Sequence, residues 1–329
     1  MSAIDVSGVV GPVGGAMRRR LRAGAGGRVD LAVVDPGSTP GLPGRDVTGD
    51  DRKGWARAQV GLLGGELARQ QEMLFATAKA RAGTTGEAAA QATGGPRGGV
   101  AGGAPRVLLV LQAMDCGGKD GAVKRVAGAM NPLGLHIRSF GPPTPEELRH
   151  DFLWRIRCAL PPPGYVGVFN RSHYEDVLVA RVESLVPETV WRARYDEINT
   201  FERELVDAGV TPVKVLLHIS YAEQRRRLLE RLGDPRKHWK YDPSDVNARA
   251  RWDDYQTAYA EALSRCDTEA APWYVVPADR KWYRDWAVAH LLRETFGALT
   301  LGYPPAGFDL RRERERLLGS EKRVRVNKR

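Results

Sequence analysis

The chain has 329 residues, enough for one large α/β domain with appendages or for two domains. Hydrophobic residues make up 42% of it, so a sizeable core can form, yet no apolar run approaches the roughly 18 residues of a membrane-spanning helix. The formal charge of +10, with a pI of about 9.7, suggests a polyanionic partner: nucleic acid, an anionic membrane or a phosphate-rich substrate.

Residues 1–50 are rich in Gly, Pro and Arg and lack sustained periodicity, so they are expected to be disordered. Their Arg cluster follows a weak apolar patch, the reverse of a secretory signal. Residues 51–84 form an N-terminal helical region. Within it Trp55–Ala82 is expected to be helical, with Leu63, Leu67, Gln70 and Leu74 along one face. The stretch 85–104 reads as a Gly-rich linker. A compact domain then spans 105–300, with strands expected at Val107–Leu111, His136–Phe140, Tyr165–Phe169, Val213–Ile219 and Trp273–Val276. Helices fall between them. "TPEELRHDFLWRIRCAL" opens with Thr144, Pro145 and Glu147, a capping box at the head of a helix. These intervals suit an α/β fold, a parallel sheet with helices on both faces. Residues 221–265 are long, helical, polar and short of core candidates, as expected of a mobile lid. Residues 301–329 form a basic C-terminal tail, expected to be frayed. Cys116, Cys158 and Cys266 are odd in number and far apart, which fits a reducing compartment and a cytoplasmic protein.

Three segments carry chemistry. In "VLLVLQAMDCGGKDGAVKRV" an apolar strand runs into Ala113–Gly121, a glycine-rich turn with a lysine, and then a helix start. Backbone N–H groups of Gly117, Gly118 and Gly121 and the helix N-terminus attract anionic oxygens there. Lys119 adds a point charge that can follow a transferring phosphoryl group. The usual Gly at the loop's head is Ala113, and the usual hydroxyl residue after the Lys is Asp120. Asp115 lies inside the turn, where a carboxylate would repel phosphate unless Mg²⁺ stood between them. Asp120 suits either helix capping or the phosphate site.

The second segment, Val166–Val182, ends a strand at Asn170 and Arg171, then turns through His173, Glu175 and Asp176. Such a strand end usually supplies a carboxylate to orient Mg²⁺. With Asn170 in that place, either Glu175 or Asp176 could provide it. Arg171 is a candidate clamp on the transferring phosphate, and His173 reads as a hydrogen-bonded structural histidine. The third segment, Glu223–Lys240, holds seven cations, including Arg227, Arg231, Lys237 and Lys240, against three acids. Near a Gly-Asp-Pro break, it suits a lid that brings cations over phosphates.

From Val107 to about Phe296 the chain resembles the polyphosphate kinase 2 family. "LQAMDCGGKDG", "PTPEELRHDFLWRI", "FNRSHYEDVL", "INTFERELVDAG", "LHISYAEQRRRLLERL", "DPRKHWKYDPSDVNARARWDDY" and "APWYVVPADRKWYRDWAV" carry the resemblance, in order. It implies a P-loop kinase core with a helical lid. It also implies Mg²⁺-dependent transfer of a phosphoryl group between inorganic polyphosphate and a nucleoside mono- or diphosphate. Asp115 and Lys119 match the loop's acid and lysine. Arg171 matches the Arg after the second strand, and Arg227, Arg231, Lys237 and Lys240 match the lid's basic positions. Asn170 departs from the Asp that many members carry. Homo-oligomers are common for such kinases, and the helix at Trp55–Ala82 could pack between subunits. The competing expectations are an ATP-dependent small-molecule kinase on the same core and a nucleic-acid-binding protein. The latter would use Trp239, Tyr241, Trp252 and Tyr255 as stacking surfaces.

Overall fold

A computed structural model describes residues 3–4, 10–11, 16–24, 27–85 and 104–326. Apart from its two end residues, the expected linker at 85–104 lies outside the described residues.

The elements, in order, begin with a two-residue ladder of β1 (Ala3–Ile4) and β2 (Val10–Gly11), α1 (Ala16–Leu21), α2 (Arg45–Thr48) and α3 (Arg52–Thr85). Next come β3 (Arg106–Gln112), α4 (Lys119–Arg125), β4 (Leu135–Ser139), α5 (Trp154–Cys158), β5 (Val166–Asn170), α6 (Glu175–Val182) and α7 (Glu188–Asp207). They end with β6 (Val210–His218), α8 (Tyr221–Leu232), α9 (Ser244–Ala250), α10 (Trp252–Cys266), β7 (Trp273–Pro277), α11 (Lys281–Gly297) and α12 (Leu310–Val326).

All five expected strands form, in one parallel sheet of order β4-β5-β3-β6-β7. The period of two explains its layers. Val107, Leu109 and Leu111 point into a core shared with α3, α4 and α11. Leu108 and Val110 point the other way, against Phe140, Ile156 and Phe201. With β3 central and parallel to both neighbours, its carboxyl end opens the crevice where ligands of such sheets bind.

The N-terminal arm departs from the expected disorder. α1 buries Met17 and Leu21 in the core, and the backbone N–H groups of Met17 and Arg18 donate to the Glu294 carboxylate at 3.0 and 2.9 Å. Arg22 pairs with Asp267 at 2.7 Å, and Ala23 N donates to Trp273 O. The arm therefore covers the edge strand β7, whose residues are all buried. Its Gly/Pro composition concealed a few apolar anchors separated by turns.

α3 buries Leu63, Leu67, Gln71 and Leu74. Gln71, not Gln70, completes the stripe, donating to Asn131 O and accepting from Asn131 N. That stripe packs on the chain's own core beside α11, with Arg293 and Glu66 paired at 2.9 Å, so it is not a free subunit surface. The Thr144–Glu147 capping box forms in both directions. It heads only a 3₁₀ turn, Glu147–Arg149, and the next helix is the separate α5.

The expected lid at 221–265 is too long. α10 buries Tyr255, Ala258, Tyr259, Ala262, Leu263 and Cys266 against α6 and α7, and is a core helix. Its small and aromatic residues at helical spacing hid among charges. The remainder of the expected lid is α8, the 3₁₀ helix Pro235–Lys240 and α9. The tail from Leu310 is helical and not frayed at its start, because Asp309 accepts from the N–H groups of Arg311 and Arg312 and Arg316 pairs with Glu313. Among the described residues no helix is long and apolar enough to cross a membrane.

Candidate active site

β3 delivers the chain to the glycine loop. Two of its residues sit in the left-handed region, Cys116 at φ 63° and Gly118 at φ 104°. The Cys116 conformation is strained for a residue with a Cβ, a feature that clusters at functional sites. Gly118 is the N-cap of α4, so the helix N-terminus opens into the loop. Lys119 folds back, and its Nζ donates to Ala113 O at 2.8 Å. Burial, with Arg171 nearby, pushes the Lys119 ammonium below its ordinary value. Its charge is thus poorly solvated and poised for an anion.

The end of β5 supplies the opposite wall. Arg171 has φ 64° and its N–H donates to Leu111 O at 3.0 Å, which pins this turn to β3. Its guanidinium spans Asp115 at 2.7 Å and Glu175 at 3.1 Å. Glu175, and next to burial Asp115, hold Arg171 charged far beyond any working pH. Gln112, with its amide oriented to suit its neighbours, donates to Glu175 Oε1 at 2.9 Å and accepts from Ser172 N. The two acids diverge in space. Glu175 joins Asp115 and Arg171, whereas Asp176 is turned to Arg155 and Arg194, each at 3.4 Å. His173 is buried against Glu202, which also accepts from Lys214 and Tyr174, so it braces the turn onto α7.

Asp120 does not cap α4 with its side chain. It accepts from Asn170 Nδ2 at 2.9 Å and from Lys240 Nζ at 3.4 Å, joining loop, strand end and lid tip. A second carboxylate at position 170 would repel it, so the amide of Asn170 suits this neighbour. Burial works against ionisation of Asp120, but Asn170 and Lys240 outweigh it and keep the carboxyl below its usual range.

Arg227 stands elsewhere than expected. It is not on a solvated lid face but buried, donating to Cys116 O at 2.8 Å, Gly117 O at 3.1 Å, Asp279 O at 3.0 Å and Ala278 O. The fork of its guanidinium satisfies carbonyls that the left-handed loop turns toward α8. Gln224 adds a bond to Asp115 O at 3.1 Å. Arg231 binds Lys240 O and Asp245, holding the lid to itself, and Lys237 pairs with Asp234. Of the four expected stacking aromatics, Trp252 packs edge-on to Tyr221, and Tyr255 is buried with its hydroxyl on Glu183. Tyr255 is thus withdrawn from any stacking surface, whereas Trp239 is 78% exposed.

Sequence reasoning missed Arg284 on α11. It is buried beneath the loop and bonded to Asp285. A Cβ at Gly118 would lie 2.0 Å from its Nη1, and one at Gly121 2.7 Å from its Nη2. Both glycines thus leave room for a guanidinium as well as for phosphate. No local signal in "KWYRDW" marks this, because only the fold brings it under the loop.

Asp245 was also missed. Burial, and then the nearby Asp115, push its carboxyl up to about 6, despite the 3.1 Å contact with Arg231. A folded pKa above the unfolded one means the folded state gains stability as pH falls from about 6 toward the usual carboxylate range. Relative to Asp245→Asn, wild-type Tm should therefore rise when the pH is lowered from about 7 to 5. Parallel melts of the two proteins that stay a constant distance apart would contradict this.

A parallel sheet of this order, with a glycine loop and lysine after its central strand and a helical segment across the loop, defines a P-loop kinase-like protein. The Polyphosphate kinase 2 (PPK2) family matches residues 100–299, and the chain belongs to that family. It is 43% identical over 286 residues to the AMP/ADP-polyphosphate phosphotransferase of Meiothermus ruber, covering 87% of this chain and 95% of that one. It is also 43% identical over 210 residues to an ADP-polyphosphate phosphotransferase of Rhodopseudomonas palustris, covering 60% and 73%. The crystal structure of a polyphosphate kinase 2 from Arthrobacter aurescens superposes with a TM-score of 0.81 at 44% identity, over 92% of this chain and 97% of that one.

Proposed function

We propose that the chain transfers a phosphoryl group between inorganic polyphosphate and a nucleoside mono- or diphosphate, taking AMP to ADP and ADP to ATP. Family membership supports the reaction. The observation that carries it to this site is the convergence of Lys119, Asp115, Arg171 and Glu175 at the carboxyl end of the central strands.

Transfer asks little covalent chemistry of the protein; alignment and charge neutralisation do most of the work. The N–H groups at Gly118 and Gly121 receive the phosphate oxygens, Gly117 shapes the turn by donating its N–H to Met114 O at 2.9 Å, and Lys119 follows the moving group. Arg171 bridges two carboxylates in the free site and can turn one donor pair to the transferring phosphate. Lys237 and Lys240, both partly exposed, meet the polymer from the lid, and Arg231 braces them through Lys240 O and Asp245. Among the described residues no three His, Cys, Asp or Glu side chains stand together as a metal cage. Mg²⁺ commonly takes only one or two carboxylates and completes its shell with phosphates and water, so Asp115 and Glu175 fit it. Bound there, it would neutralise charge on the phosphate oxygens.

Asp115→Asn should lower activity and move the Mg²⁺ midpoint upward by about tenfold, since a hard cation prefers carboxylate oxygen. An unchanged midpoint in a magnesium titration would make Asp115 a partner of Arg171 alone. A homo-oligomer in the cytoplasm completes the proposal, and light scattering tests the assembly. The proposed reaction itself is tested by rates with AMP, ADP, GMP and GDP at fixed polyphosphate. AMP and ADP should both be phosphorylated. Turnover that requires ATP as donor and a small-molecule acceptor would overturn it.

A further inference from the structure

A second cationic cleft lies outside the site just described. The N-terminal arm and the start of α11 enclose about 450 Å³. Arg45, Arg52, Lys53 and Arg280 line it, against Asp50 and Asp51, with Trp282 as a wall. The acids are partly engaged: Asp50 pairs with Arg45 at 3.3 Å, and Asp51 accepts from Gly54 N at the head of α3. Arg52, Lys53 and Arg280 form no ion pair among the described residues. Arg52 donates only to Thr39 Oγ1, and its Nε is buried without a partner.

The arm is fastened at this place. Asp279 N donates to Pro36 O, Arg280 Nε to Gly37 O at 2.9 Å, and Tyr283 OH to Pro40 O at 2.7 Å. Building the cleft thus takes an anchored segment, and cations without acid partners accumulate in it. Four cations against two acids leave the cleft net positive, a local field that attracts an anion.

Its location says which anion. Arg280 follows Asp279, whose carbonyl Arg227 joins to those of Cys116 and Gly117 in the phosphate loop. Lys281 then reaches Glu230 on α8 at 3.5 Å. Arg280 and Trp282 thus follow the carboxyl end of β7, in the sheet whose central strand β3 carries the loop at its own carboxyl end, and Lys281 sets them beside α8. We infer that Arg45, Arg52, Lys53 and Arg280 form a distal subsite for the outer stretch of a long oligophosphate whose reacting end lies at Lys119. The cleft serves the reaction only if polyphosphate is the substrate, as proposed above.

The test is binding of end-labelled long polyphosphate without nucleotide, so that it does not depend on turnover. The double variant Arg45→Gln, Lys53→Gln should bind long polymer about tenfold more weakly, with a salt dependence shallower by roughly 1.5 units of log–log slope. Tripolyphosphate competing at the loop should keep its affinity. Lys53→Gln alone breaks no ion pair among the described residues and should show a smaller shift in the same direction, which guards against a displaced arm. Unchanged affinity for long polymer overturns the subsite. So does equal weakening for tripolyphosphate, or for duplex DNA, which would make the cleft a short-anion site or a general polyanion patch. Wild-type protein that neither binds polyphosphate nor transfers phosphate would remove the proposed activity itself. Transfer with unaltered polymer affinity in the double variant would remove the subsite alone.

Discussion

Replacing Lys119 by Met is expected to cut kcat by about 100-fold or more, the scale of losing one preorganised donor to developing charge. The ammonium is buried, its Nζ donates to Ala113 O, and desolvation is the chief cause that keeps it below its ordinary pKa. Removing it leaves one carbonyl acceptor unpaired and no ion pair broken. The fold should survive, so the loss should appear in kcat with a near-normal melt. Near-wild-type turnover in folded Lys119→Met protein would take the loop out of the mechanism.

Arg227→Ala should do something different: lower stability and activity together. Its guanidinium holds four carbonyls from two segments and pairs with Glu223 at 2.7 Å. Truncation leaves those groups buried without donors, a loss of about 3 kcal/mol or more. In a chain of this size that corresponds to a Tm lower by roughly 4–5 °C. Arg227→Lys should rescue little, because an ammonium cannot reproduce the fork. A variant with an unchanged melt and reduced kcat would instead make Arg227 a clamp on the transferring group.

The contrast between these residues shows what the chain spells out locally. Val107–Leu111 is an uninterrupted apolar run, and Gly117, Gly118 and Lys119 follow it at once, so strand and loop were legible together. The five strands were legible for the same reason. Arg227 and Arg231 looked alike, four residues apart on one helix, but only the first faces the loop carbonyls. Arg284 lies more than 160 residues beyond the loop it supports, and nothing in its neighbours announces that. Glu175 and Asp176 were inseparable as letters. The turn fixed by Arg171 at positive φ sends one to Arg171 and the other to Arg155. Composition misled at the arm, where Met17, Leu21, Val29 and Leu31 suffice to dock a Gly/Pro-rich segment. It also misled at α10, whose buried face is drawn from Ala, Tyr and Leu among charges.

The proposed reaction moves phosphate from an inorganic polymer to a nucleotide at this loop. The most direct measurement is a single-turnover reaction of enzyme, ³²P-labelled polyphosphate and Mg²⁺ with unlabelled AMP or ADP. Label should enter the β-phosphate of ADP and the γ-phosphate of ATP with no ATP supplied, and Lys119→Met should slow this transfer by about 100-fold or more. Label that appears only as inorganic phosphate, or that moves equally well in Lys119→Met protein, would contradict the account.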